Sequence, residues 1–300
     1  MIKNSIKILL CLSMCLFTTN SIQNSTYIRA EKNEQMDEVN DIKYVNEYNV
    51  MVEAKLSKHN NSLETKASSG KTYEDLYLER ASLDEETLIN DYAYTMDQVK
   101  ILKAYDGSPI ENNPQLARAS AVLSARIYTG GCSNTELNVM AEWSWSSAPI
   151  FSGPGVTDKV SFRWKGTNTS GSSINLVDNG STYAMIYYYQ GGSYVTTTSV
   201  NRTLKEPYGA AEMPVKMQVS TGTALRGTVT STLRNSGSSK ILEAGIVFVY
   251  GHCKIDFNSI SFTYDSWPSI TISGGTKETT LVKRVTNTEK FWIKYFKKVR

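Results

Sequence analysis

The stretch ELNVMAEWSW at residues 136–145 puts Leu137, Val139, Ala141, Trp143 and Trp145 at every second position. Glu136, Asn138, Glu142, Ser144 and Ser146 hold the alternate phase, broken only by Met140. Side chains of a strand point alternately to opposite faces, so this pattern predicts a strand with one buried and one solvated face. The same period recurs on both sides of it. Val160, Phe162 and Trp164 alternate with Lys159, Ser161, Arg163 and Lys165. Met213, Val215, Met217 and Val219 alternate with Pro214, Lys216, Gln218 and Ser220, and the proline, lacking an N–H, predicts an edge position. Leu225 to Leu233 and Ile260 to Tyr264 follow suit, whereas residues 244–249 are apolar on both phases and predict a central strand.

Residues 119–128, 182–189 and 193–199 bring the total to about 8–10 strands. Turn clusters separate them, among them Ser152-Gly153-Pro154-Gly155, Asp178-Asn179-Gly180 and Asn235-Ser236-Gly237. Short strands at this spacing without intervening helices predict a mainly β chain folded as an antiparallel β-sandwich. No internal repeat is visible, which argues against a propeller or solenoid.

The flanks read differently. Lys3 and Lys7 precede an apolar run from Ile8 to Phe17 and a polar stretch after it, so residues 1–25 are expected to be a secretory signal peptide. The run is shorter than the ~20 residues of a membrane span, and no second one follows, so no transmembrane segment is expected in the mature chain. Residues 26–71 are polar and are expected to be a flexible linker. Residues 72–115 carry two capping-box patterns, Ser82-x-x-Glu85 and Thr95-x-x-Gln98, and predict short helices that form an acidic cap or propeptide without a core of their own. The β-sandwich domain then occupies residues 116–276 and a basic tail residues 277–300.

Charge is partitioned along this order. The 300 residues hold 32 Lys+Arg and 29 Asp+Glu, a net of +3. Residues 31–115 hold 9 basic and 18 acidic residues, and residues 116–300 hold 20 and 11. In the tail, Phe291, Trp292, Tyr295, Phe296 and Val299 share a helical face flanked by lysines. Lys290, Trp292, Lys294, Phe296, Lys297 and Lys298 are therefore candidates for contact with a membrane or an anionic cell-envelope surface. The near-balance of charge, with 40% hydrophobic residues, speaks against nucleic-acid binding.

Only His59 and His252 occur, so multi-histidine metal sites are excluded, and neither a metal nor a cofactor is expected. Removing the signal leaves Cys132 and Cys253, an even pair expected to form a disulfide in an oxidising compartment. The competing reading is a cysteine hydrolase using Cys132 and His252, with Asp256 or Asn258 to orient the imidazole. Cys132 sits in a Gly-Gly-Cys-Ser turn rather than at a helix start, which disfavours a thiolate. Glu136 and Glu142 stand too far apart along one strand for glycosidase work.

Binding candidates come from the aromatics. Tyr187, Tyr188 and Tyr189 cannot all face inward, so this run with Tyr194 and Trp267 is the expected ligand-facing patch. The function expected is that of a secreted, non-enzymatic β-sandwich protein that binds a surface, an extracellular glycan or a protein partner. Its rivals are a membrane-active toxin or bacteriocin-like effector, inserting the Ser/Thr-alternating stretch at residues 219–234, and the hydrolase.

Overall fold

The computed structural model describes residues 42–60, 71–130, 133–150, 152–153, 155–205, 209–253 and 260–286, without the side chains at 58–60, 276–280 and 282–286. The described residues all fall in one compact unit, Asp37–Arg300. The chain is an antiparallel β-sandwich, as its period-two segments predict.

The first sheet has eight strands. From one edge to the other run β1 (Lys43–Asn46), β2 (Val122–Gly130), β3 (Glu136–Trp145), β12 (Gly222–Asn235), β7 (Tyr183–Gln190) and β8 (Ser193–Asn201). The short β6 (Leu176–Asp178) and β11 (Gln218–Val219) pair with the ends of β12. The second sheet has six strands, in the order β16 (Gly275–Thr286), β13 (Ile241–Cys253), β4 (Thr157–Asn168), β10 (Ala210–Lys216) and β9 (Thr203–Lys205), with β5 (Ser173–Ile174) on β4. A hairpin of β14 (Ser261–Tyr264) and β15 (Ile270–Ser273) forms a third layer. The strands beyond the expected 8–10 are mostly these two- to four-residue pieces, too short to show a period.

Packing follows the alternation. Leu137, Val139, Ala141, Trp143 and Trp145 of β3 meet Val160, Phe162 and Trp164 of β4 and Ile246, Phe248 and Tyr250 of β13 in one apolar core. On the opposite side of the second sheet, Val247 and Val249 are covered by Phe262, Tyr264 and Ile270 of the hairpin. This second cover explains why residues 244–249 are apolar on both phases. Pro214 lies opposite Lys159, beyond the three residues of β10 that pair with β9, so its missing N–H interrupts no ladder there.

The helical segment is built into this body. Thr72 caps α2 (Tyr73–Ser82) in a capping box with Asp75, and Thr95 caps α4 (Met96–Lys103) in another with Gln98. The Ser82-x-x-Glu85 pattern is not a capping box. Asp84, one residue from Glu85, caps α3 (Glu85–Asn90), while Ser82 ends the helix before it. Nor does the segment lack a core. Tyr77, Leu88, Val99, Leu102, Ile110 and Leu116 are buried together with Ala148 and Ile150 of the sandwich loops. Gln98 joins the two parts, its amide donating to the carbonyls of Ala119 (2.7 Å) and Ala148 (3.1 Å).

Residues 43–60 of the expected linker are also structured. Residues 43–46 form β1 on the edge of β2, and α1 (Glu47–Asn60) follows directly. Lys55 of α1 bridges Glu74 (2.5 Å) and Glu111 (2.6 Å), which fixes the helix against the cap. At the other end the sandwich reaches past residue 276, because β16 runs to Thr286 along β13. The expected signal peptide at residues 1–25 and the tail candidates Lys290, Trp292, Lys294, Phe296, Lys297 and Lys298 lie outside the described residues.

Candidate functional site

The sequence of β7, YAMIYYYQ, sends Ala184, Ile186 and Tyr188 into the core and Tyr183, Met185, Tyr187 and Tyr189 outward. Tyr188 is 1% exposed and its hydroxyl donates to the Lys216 carbonyl at 3.1 Å, so it is not part of a ligand surface. Burial pushes its phenol pKa up. On the outer face, Tyr189 meets Tyr194 edge-to-face across the β7–β8 turn at 6.0 Å. Arg226 lies over the Tyr189 ring at 5.8 Å, and the hydroxyls of Tyr194 and Thr197 are 2.8 Å apart.

Register extends this face across five strands. Tyr128, Met140, Thr230, Tyr183 and Asn201 stand side by side in one row, and Ser124, Ser144, Arg226, Tyr187 and Thr197 in another. Between them Glu142 accepts from Tyr128 (2.9 Å) and Arg126 (3.3 Å). Tyr187, Tyr189 and Tyr194 are thus brought together. Tyr183 and Tyr128 join them although sequence reasoning missed both, since only the strand register shows that they share this face.

Trp267 is elsewhere, on the outer side of the second sheet beside Arg163 and Lys165 of β4. A cleft of about 520 Å³ opens there. Arg163 is held by the carbonyls of Ser269 (2.5 Å) and Asp265 (2.8 Å), with Trp267 at 5.6 Å from its guanidinium.

Of the residues that a hydrolase would need, His252 is engaged in another way, and Cys132, Asp256 and Asn258 lie outside the described residues. His252 is fully buried between two carboxylates, its Nδ1 at 2.7 Å from Asp158 and its Nε2 at 3.5 Å from Glu47. Asp158 also accepts from the Tyr250 hydroxyl (2.7 Å) and the Cys253 amide (3.0 Å), and Glu47 accepts from the Ile150 amide (2.9 Å). Trp145 donates to the Tyr250 hydroxyl at 3.2 Å. Burial disfavours the imidazolium, but Asp158 and then Glu47 outweigh it and hold the His252 pKa well above its usual value. The result is an internal ion cluster that ties α1, β3, β4 and β13 together, with Glu47, Asp158 and His252 all fully buried. Neither acidic partner was legible beforehand, because Glu47 stands in a polar stretch and Asp158 at a strand start.

Cys253 is a free, buried thiol that donates to the Thr157 carbonyl at 2.9 Å. The expected Cys132–Cys253 bridge therefore needs correction. Cys132 lies outside the described residues. Burial, then the nearby Asp158, pushes the Cys253 pKa up to about 12. Native protein at pH 8 should leave Cys253 unlabelled by iodoacetamide and unfolded protein should not, as peptide mapping would show. Recovery of Cys253 in a disulfide-linked peptide would contradict the free thiol.

Among the described residues no group of three His, Cys, Asp or Glu is disposed to hold a metal ion, and no helix is long and apolar enough to cross a membrane. No family model and no curated protein matches the chain. Among solved structures, the collagen-binding domain from a Staphylococcus aureus adhesin aligns over 52% of this chain and 90% of its own, at 6% identity and a TM-score of 0.29. AvmM, which catalyses macrocyclization in alchivemycin A biosynthesis, aligns over 55% and 86%, at 8% identity and a TM-score of 0.24. A structure concerning pH-induced modulation of Streptococcus parasanguinis adhesion by Fap1 fimbriae aligns over 52% and 79%, at 16% identity and a TM-score of 0.23. No residue correspondence follows from values this low.

Proposed function

We propose that this chain is a secreted, non-enzymatic β-sandwich protein that binds an extracellular glycan through the outer face of its first sheet. The observation that carries the reading is the placement of Tyr183, Tyr187, Tyr189 and Tyr194 on one solvent-facing surface among Thr and Ser hydroxyls. Outward strand positions need only be polar for solubility, so a cluster of rings there calls for a reason. Flat rings stack on the C–H faces of sugars while neighbouring hydroxyls and amides meet their polar edges. Secretion rests on the residues 1–25 pattern, and contact with anionic envelope material would fall to the 290–298 segment.

Two features of the fold weigh against the rival readings. The stretch at residues 219–234 is mostly β12, hydrogen-bonded on one side to β3 and on the other to β7, so it cannot leave as an inserting hairpin without opening the sheet. The histidine of the hydrolase reading is enclosed between Asp158 and Glu47.

Binding to immobilised neutral oligosaccharides tests the proposal. Tyr187→Ser with Tyr194→Ser should weaken binding roughly tenfold, the loss expected of two aromatic contacts, with the far-UV spectrum unchanged. Retention of wild-type binding by the double variant, or binding to proteins but to no glycan, would overturn it.

A further inference from the structure

We propose that the cleft beside Trp267 is a second binding site, on the opposite sheet from the tyrosine face, and that it takes a sugar ring bearing a carboxylate. Its walls are built from specific features of the chain. Lys165 faces Gly245 across the β4–β13 ladder. A Cβ at position 245 would come within 2.6 Å of Trp267 Cζ2, so only the absence of a side chain lets the indole lie against β13 beside Lys165. Arg163, two residues before Lys165 and on the same face, holds the segment that carries Trp267 through its bonds to Asp265 and Ser269.

The opposing wall is equally fixed. Trp164 Nε1 donates to the Leu176 carbonyl at 2.7 Å, and Gly166 lets Ile174 and Leu176 close against β4. Ser173 and Asn175 belong to this wall and line the cleft. Preformed walls matter because a small ligand has little binding energy to spend on ordering them.

Composition then selects the ligand. The lining includes Arg163 and Lys165 and no Asp or Glu. Lys165 is exposed, and among the described residues no carboxylate lies within 4 Å of its ammonium. A point cation beside an indole, with an amide and a hydroxyl opposite, offers an ion pair, a stacking surface and hydrogen bonds to ring hydroxyls. A volume of about 520 Å³ suits one or two sugar rings. The inference does not depend on the tyrosine face and stands or falls separately.

The test is titration of the full mature chain with glucuronate, followed by tryptophan fluorescence, with glucose and acetate as parallel arms. Glucuronate should bind saturably in the millimolar range, the strength expected of one small ring, and more weakly as salt is raised. Glucose and acetate should bind at least about tenfold more weakly, since each lacks half of the recognition. Lys165→Ala, at an exposed position, should keep the melting temperature and lose about tenfold in glucuronate affinity. Should Trp267→Ala disturb the hairpin, the Lys165 variant still decides. No saturable response, an equal response to acetate or glucose, or unchanged affinity in Lys165→Ala would each overturn the proposal.

Discussion

Glu47→Ala should lower the unfolding free energy by about 3–5 kcal/mol, the usual cost of removing one partner from a buried ionic group. The carboxylate is fully buried, accepts the Ile150 amide at 2.9 Å and faces His252 at 3.5 Å. Alanine leaves that amide without its acceptor and removes one of the two carboxylates that face the imidazolium. Glu47→Gln keeps an acceptor for Ile150 and should recover part of the loss. Urea unfolding measures both, and a cost under about 1 kcal/mol for the alanine variant would mean that the cluster contributes little.

The same cluster sets a pH dependence. The folded-state pKa of His252 is raised, so its contribution to stability is full below the unfolded value near 6.5 and is lost as pH rises through the folded value. Stability of the wild type should thus decline on the alkaline side. In Glu47→Ala the folded pKa falls, so the decline should still begin near the unfolded value but end at lower pH and be smaller in total.

The second large effect is expected at Gly227. Its Cβ position is 2.5 Å from Trp143 Cζ2 and 2.8 Å from Nε1, because the indole lies across the bare backbone of β12. Gly227→Val would force the indole from its place against Tyr250, where the rings are 4.9 Å apart, and through Tyr250 disturb Asp158. A loss of about 3 kcal/mol is expected, at the upper end for overpacking. Trp143 Nε1 has no hydrogen-bond partner among the described residues, so Trp143→Phe relieves crowding without orphaning an acceptor. A double-mutant cycle of Gly227→Ala with Trp143→Phe should show favourable coupling of roughly 1 kcal/mol, and additivity would contradict the crowding.

Most of the sandwich was legible because alternation reports burial on each face separately. β3, β4 and β13 could be assigned from Trp143, Phe162 and Val247 without knowing their neighbours. What escaped depends on partners distant in the chain. Lys43–Asn46 carries only Tyr44 and Val45 as apolar residues, and its strand character comes from pairing with β2. Tyr188 and Tyr187 look alike in sequence, and the phase of Ala184 and Ile186 separates them. Trp267 has no periodic context, and its place is set by Gly245. Counting cysteines pairs Cys253, whereas its thiol donates to the Thr157 carbonyl, a partner 96 residues away in sequence that no count reveals.

The seating of β13 between β4 and β16 has a consequence for biogenesis. Hairpins such as β2–β3 and β7–β8 join neighbours in sequence and are able to form while the rest of the chain is still being made. β4 must wait for β13, nearly the last strand to appear, and Glu47 must wait with it for His252. Until then the interior faces of both sheets stay open to water, to chaperones or to other nascent chains. Completion of the body is accordingly a late, concerted event, slow in the way long-range pairings are slow. A chain halted before residue 241 would hold an unfinished sheet rather than a smaller stable domain.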